Sequence, residues 1–378
     1  MATAARVPIT NVHKGGAYTA TILVGAQKRP MTVIVDTGSS ALALDPAKYR
    51  PAAGDQTTKL AQSVGYAGGG GWTGAVIKTD IAIGDGAAMV TQKGANAAIA
   101  YQMSANVFGA ADGILGLAYA ELNGAWVMPD DTWARRYTEV EVNQGQGTTI
   151  APGLTRLAAG KAVSKVIALY TQRSLVHQDG GDAGVDPLNQ GYMIVGGGQT
   201  GGGLYADLYT GAFQTVKVVA DQYFNTNLKA IIVGGEAAIA VPAGPVLRFA
   251  SNSIVDSGNP ALSFGPVMLD AVLAKFTAAQ QAQLKASLTG PGVATGELHL
   301  GAWPSLTFIF AGETGDIRLN IAPGDYWQVN APQAGLAMAA IKGDGIDGGV
   351  SFGLPLMNGY LTVFDGGRRA IRFATSKR

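Results

Sequence analysis

The chain has 378 residues, a formal net charge of +1 and 14% charged residues, against about 25% in ordinary soluble domains. No run of like charge offers a nucleic-acid surface, no stretch reaches the roughly 18 apolar residues of a membrane-spanning helix, and the lack of cysteine removes disulfides, thiol catalysis and zinc–thiolate sites. The 54 glycines, roughly twice what an average usage of about 7% gives, imply many tight turns and an all-β protein of short strands.

The first residues, MATAARVPITNVHKGG, lack the apolar core of a signal peptide. A cytoplasmic protein or the mature form of a secreted one is expected. Tyr18 to Val24 and Met31 to Val35 read as a hairpin closed by a polar turn, and Ala75 to Ile83 as a half-buried strand. Further strands are expected at Ile167 to Tyr170, Tyr192 to Val195, Leu228 to Val233, Leu306 to Phe310 and Tyr360 to Phe364. One main helix is predicted over Pro266 to Leu288. The Gly- and Asp-rich stretch Gln178 to Gly191 reads as the connection between two halves, 1–185 and 186–378.

An order of features recurs in the two halves. Thr32-Val33-Ile34-Val35 runs into Asp36-Thr37-Gly38-Ser39, and Ile114-Leu115-Gly116 comes later. Ser253-Ile254-Val255 runs into Asp256-Ser257-Gly258-Asn259, and Ser351-Phe352-Gly353 comes later. A single Asp-Thr/Ser-Gly is an ordinary turn, in which Asp bonds the backbone two residues on. Two of them, each after an apolar strand and each with a later Gly-ended partner, read as a duplicated fold with one carboxylate per half.

Paired carboxylates have a definite chemistry. At contact distance both cannot ionise cheaply, so one proton is shared and the pair holds a base and an acid at once. That suffices to activate water against a peptide carbonyl without a metal or a covalent nucleophile. Thr37 and Ser257 place hydroxyls beside the carboxylates, and Gly38 and Gly258 let backbone approach closely.

With these residues in view, the chain resembles the pepsin family. Val33 to Ser40 looks like its first active-site strand and loop, and Ala111-Asp112-Gly113-Ile114-Leu115-Gly116-Leu117-Ala118-Tyr119 is similar to its DGILGL segment. Tyr209-Thr210-Gly211, Ile254 to Gly258, Trp303 to Phe308 and Tyr360 to Asp365 resemble later segments in the same order. The resemblance implies a bilobal pepsin-like acid protease fold with a cleft between two pseudo-twofold-related β lobes. It implies an aspartic endopeptidase acting on peptides or proteins as a monomer, sensitive to pepstatin-type inhibitors, with Asp36 and Asp256 as the catalytic pair. Tyr66, before the glycines 68–71, matches the tyrosine of a flap that closes over substrate. Ile34, Ile114, Gly38 and Gly258 are expected to line the subsites, with Ser39 and Asn259 hydrogen-bonding to the pair.

The chain departs from the family at three places. Ala43 stands where the family has a tryptophan beside the flap tyrosine, so Tyr66 needs other support, with Trp72 the candidate. Asn259-Pro260 replaces the usual hydroxyl residue of the second loop; Asn259 is expected to donate to Asp256 in its place. Leu354-Pro355 follows Gly353 where an acidic residue is common. An inactive binding or inhibitor protein on the same fold is the alternative function.

Other patterns carry less. Gly196-Gly197-Gly198-Gln199-Thr200-Gly201 and Gly69 to Gly74 fit a dinucleotide fingerprint but want a following helix. Gly349-Val350-Ser351-Phe352-Gly353 fits a serine elbow, yet the last histidine, His299, lies upstream of it. Gly160-Lys161 lacks the spacing of a phosphate loop. His13, His177 and His299 are far apart in sequence, so no metal and no cofactor are expected.

Overall fold

A computed structural model describes residues 4–67, 69–154, 166–246, 249–343 and 349–377. Gly68 of the glycine run and the Gly160-Lys161 pair lie outside the described residues. The protein is all-β: its described strands form sheets of fifteen, five, four and three strands, and its helices are short.

The expected strands are present. Thr19–Val24 pairs antiparallel with Arg29–Asp36, and Thr19 lies opposite Ile34. Val33, Ile34 and Val35 are all buried, the pattern of a strand covered on both faces. The single helix expected over 266–288 is instead two, Pro266–Leu273 and Ala278–Thr289. The break has a local cause. The Thr277 hydroxyl accepts from Gln280 N, and the Gln280 side chain accepts from Thr277 N, so a capping box starts a new helix there.

The two Asp-Thr/Ser-Gly segments sit in the same strand arrangement. In the first half, Gly113–Gly116 lies between Arg29–Asp36, to which it is parallel, and Leu42–Leu44, to which it is antiparallel. In the second half, Val350–Phe352 lies in the same way between Ser253–Val255 and Leu262–Phe264. A further parallel strand flanks each set: Val90–Met103 beside Leu42–Leu44, and Ile341–Gly343 beside Leu262–Phe264. A glycine with no room for a side chain closes the first inserted strand and directly follows the second. A Cβ on Gly116 would strike the Ser40 and Ala41 amides, and one on Gly353 the Asn259 and Ala261 carbonyls.

The 185/186 boundary falls in the loop between the strands Val166–Tyr170 and Gln190–Gly196. Strands from both sides share the large sheet. Ala4–Thr10 pairs along its whole length with Gln190–Gly196, and Val166–Tyr170 pairs with Tyr360–Asp365.

Candidate active site

The two loops that follow the apolar strands face each other and bring Asp36 and Asp256 together. The carboxyls lie beside one another, since a Cβ on Gly258 would meet an oxygen of each, Asp36 Oδ1 at 2.5 Å and Asp256 Oδ1 at 3.2 Å. Each also accepts from the glycine two residues on: Gly38 N donates to Asp36 Oδ1 at 2.8 Å, and Gly258 N to Asp256 Oδ1 at 2.9 Å. The glycines matter across the pair as well. A Cβ on Gly38 would land on the Asp256 carboxylate, and one on Gly258 on the Asp36 carboxylate.

Thr37 and Ser257 do not sit beside the carboxylates as expected. Both are buried, and each crosses to the other loop. Thr37 Oγ1 donates to Val255 O at 3.0 Å and accepts from Ser257 N at 2.8 Å. Ser257 Oγ donates to Val35 O at 2.8 Å and accepts from Thr37 N at 3.0 Å. Four bonds related by a local twofold thus hold the loops, and with them the carboxyls, in register.

The symmetry fails at the next residue. Ser39 Oγ donates to Asp36 Oδ2 at 2.5 Å. The side chain of Asn259, three residues after Asp256 as Ser39 is after Asp36, does not reach the Asp256 carboxyl. Its Nδ2 donates to Ser263 Oγ at 2.9 Å and Ser351 Oγ at 3.1 Å, and its Oδ1 accepts from Ala261 N at 3.1 Å. The expected Asn259–Asp256 bond is therefore replaced by bonds to two buried serines, which claim the amide first.

The electrostatics follow from this. Asp36 is buried; Asp256 is partly exposed as a residue, but its carboxyl packs against Gly38 and Asp36. Burial pushes the Asp36 carboxyl above its ordinary value, while the Ser39 hydroxyl and the Gly38 and Gly258 amides draw it back. Burial and then the Asp36 charge drive Asp256 well above the ordinary range, with the Gly258 amide and the Lys342 ammonium opposing. Both carboxyls are thus raised and the pair shares a proton, while the Ser39 hydroxyl, which has no counterpart at Asp256, favours the negative charge on Asp36.

Tyr66 lies at the tip of the hairpin formed by Gln56–Gly65 and Gly71–Ile83. Tyr66 N donates to Gly70 O at 3.0 Å, closing the turn. Trp72 Nε1 donates to the Tyr66 hydroxyl at 2.8 Å. The Trp72 ring is buried in a cluster with Ala17, Ala41, Ala43, Ala98, Ala100 and Ala111, so small side chains make the room that it fills. Ala43 and Trp72 share that cluster: the indole missing at one is supplied by the other. Burial, and then the Asp36 charge, hold the Tyr66 hydroxyl protonated. Ile34 and Ile114 lie side by side in the parallel strands and belong to the same cluster, both almost fully buried beneath Tyr66.

The patterns outside the site resolve differently. Gly198–Gly203 forms a short 3-10 turn and no α-helix, so the fingerprint at Gly196–Gly201 lacks its helix. Ser351 lies in the Val350–Phe352 strand, followed by the one-turn helix Leu354–Met357, and its hydroxyl bonds Asn259. His177 gathers Asp179 and Asp186, their ligand atoms within 4.8 Å of one another. Both of its ring nitrogens are engaged within the protein, Nδ1 with Asp186 at 2.5 Å and Nε2 with Asn330 at 3.1 Å. A separate cavity of about 310 Å³ is walled by Tyr119, Phe224 and Phe364 and edged by the Arg369–Asp221 pair; neither carboxyl lines it. Among the described residues no helix is long and apolar enough to cross a membrane.

The carboxyls, their glycines, Ser39, Tyr66 and Trp72 are all marked in the sequence, whereas Ser263 and Ser351 neighbour Asn259 only in space. No protein-family model matches this chain, and no curated protein matches it.

Proposed function

We propose that the protein is an aspartic endopeptidase of the pepsin type, with lobes 1–185 and 186–378 on either side of a peptide-binding cleft. The observation that carries this reading is the pair of facing carboxyls in loops related by a local twofold, each bonded by the glycine two residues on and only Asp36 also by a hydroxyl. The order of family-like segments along the chain supports it independently.

The reaction follows from the asymmetry of the pair. Asp36, ionised and held by Ser39 and Gly38, takes a proton from water as the water oxygen attacks the peptide carbonyl carbon. Asp256 gives its proton to the carbonyl oxygen, so a neutral gem-diol forms in place of an oxyanion. As the C–N bond breaks, the proton on Asp36 passes to the leaving nitrogen and a gem-diol hydroxyl returns its proton to Asp256. The pair ends as it began. No metal or cofactor is required for this sequence. The hairpin carrying Tyr66 is the lid, its hydroxyl fixed by Trp72.

A peptide-binding protein without turnover is the second reading, favoured by the engagement of Asn259 with Ser263 and Ser351. A cleavage profile over a peptide library from acid to neutral pH separates the two. Cleavage that pepstatin blocks, and that Asp36→Asn and Asp256→Asn each abolish, is the expected result. No cleavage at any pH, or cleavage retained by either variant, overturns the peptidase reading.

A further inference from the structure

The strand registers set the chemistry of the two sides of the cleft. Residues directly opposite in adjacent strands project from the same face, and residues two apart in one strand share it. Asp36 therefore projects with Ile34, and the row through Ile34 runs Ile34, Ile114, Ala43, Ala98 across four strands. Asp256 projects with Ile254, and the corresponding row runs Ile254, Ser351, Ser263, Lys342. The strand arrangement is the same, but the second row turns polar after its first residue and ends on a cation.

Asn259 covers the two serines, which are buried. Lys342 is different. It lies on an edge strand, is exposed, and has no ion pair among the described residues. Three strand spacings of about 4.8 Å separate it from the Ser253–Val255 strand, a span that the lysine stem and a substrate side chain bridge together. Its charge is felt at Asp256, as its place on the same face requires.

We propose that Lys342 forms a charge-selective subsite on the Asp256 side of the cleft, which takes a glutamate or aspartate side chain of the bound peptide. The apolar cluster built on that row on the Asp36 side, with the half-buried Tyr66 packed on it, takes an apolar one. The substrate class is thus a peptide with an apolar residue on one side of the cut and an acidic residue on the other. This rests on the peptidase reading for its cleavage readout, but not for its binding readout.

The test uses peptides that share an apolar residue at the cut and carry Glu or Gln at each nearby position in turn, at a pH where glutamate is ionised. The wild-type protein is expected to cleave the best-placed Glu peptide about two- to fivefold faster in kcat/KM than its Gln twin, the size of an exposed ion pair. Added salt shrinks that ratio. Lys342→Gln brings it to one, and Lys342→Glu inverts it; because the ratio is taken within each variant, any change that acts through Asp256 on both peptides alike cancels. Equal cleavage of Glu and Gln peptides by the wild type, or a preference that survives Lys342→Gln, overturns the subsite. So does a Lys342→Gln effect that is the same for every peptide, since the lysine would then act on Asp256 alone. If no peptide is cleaved, the peptidase reading fails, and the same Glu/Gln ratio is read from peptide affinity by fluorescence anisotropy. There, equal affinities overturn the subsite, and a Glu preference lost in Lys342→Gln upholds it.

Discussion

Thr37 and Ser257, 220 residues apart, exchange hydrogen bonds: each hydroxyl accepts the other's backbone N–H and donates to the carbonyl two residues before the other, all at 2.8–3.0 Å. The exchange is wholly buried, so water cannot replace a missing partner. Thr37→Val keeps the side-chain shape but leaves Ser257 N and Val255 O unpaired. Two orphaned groups cost about 2–4 kcal/mol together. Urea unfolding should show that loss, and Ser257→Ala a similar one. The double variant should lose less than the sum, because the two share partners. Unchanged midpoints in both single variants would mean that the loops are held by something else.

The second prediction concerns stability against pH. The folded-state pKa of Asp256 lies above the ordinary carboxylate value, so folding favours its protonated form. The folded state then binds more protons than the unfolded one between those two values, and stability falls as pH rises through that window. Asp256→Asn does not titrate there. It should therefore match the wild type at low pH and exceed it at neutral pH, where each 1 kcal/mol corresponds to roughly 2 °C in Tm for a long chain. Thermal scans from acid to neutral pH provide the measurement. A variant less stable than the wild type at neutral pH contradicts the assignment of the proton.

Asn259→Ser tests the asymmetry at the second loop. A hydroxyl there is placed to donate to Asp256 as Ser39 does to Asp36. A hydrogen bond to the charged form lowers a carboxyl pKa. The basic limb of the pH profile of kcat/KM should move to lower pH by about half a unit or more, taking one unit as about 1.4 kcal/mol. Stability should fall as well, since Ser263 and Ser351 lose their shared donor. A profile that does not move would show that the hydroxyl stays with the serines.

Trp72→Phe removes the indole N–H that fixes Tyr66 and keeps most of the ring that fills the alanine-lined space. Tyr66→Phe removes the other end of the same bond. Each should lower kcat/KM by about three- to tenfold, the worth of one buried hydrogen bond of about 1 kcal/mol. The double variant should be no worse than either single one. Independent, multiplying losses would show that the two residues act separately. Ala43→Trp should destabilise the fold by overpacking the space that Trp72 already occupies.

Much of this arrangement was legible in the sequence because it is local. An apolar strand running into Asp-Thr-Gly or Asp-Ser-Gly is read from seven or eight consecutive residues, and its recurrence marks the duplication. The Trp72–Tyr66 bond was within reach because only six residues separate the partners. What the sequence hides is partnership over distance. Asn259 has the chemistry to bond Asp256, and nothing nearby in the chain shows that Ser351, 92 residues away, claims its amide first. The hydroxyls of Thr37 and Ser257 were placed by their neighbours in sequence, whereas their partners are in the other half. The break between the helices Pro266–Leu273 and Ala278–Thr289 is hidden in another way. Thr277 with Gln280 is a capping signature inside the 266–288 stretch. The apolar residues on either side of it conceal the stop. Lys342 carries no local sign at all; only the register beside Ser263 gives it meaning.

The pairing of Ala4–Thr10 with Gln190–Gly196 has a consequence for handling the protein. The exposed stretch 178–185 joins the halves covalently, but the first strand already stitches its own half to the second across seven residue pairs. A protease nick in that stretch would leave two fragments that travel as one particle on a sizing column and come apart only in denaturant. Removing residues 4–10 does the opposite. It leaves the chain continuous but strips one edge of the 190–196 strand, and an open strand edge invites another molecule to pair with it. Trimming the amino terminus is thus the more damaging edit of the two, although it cuts away only a few per cent of the mass.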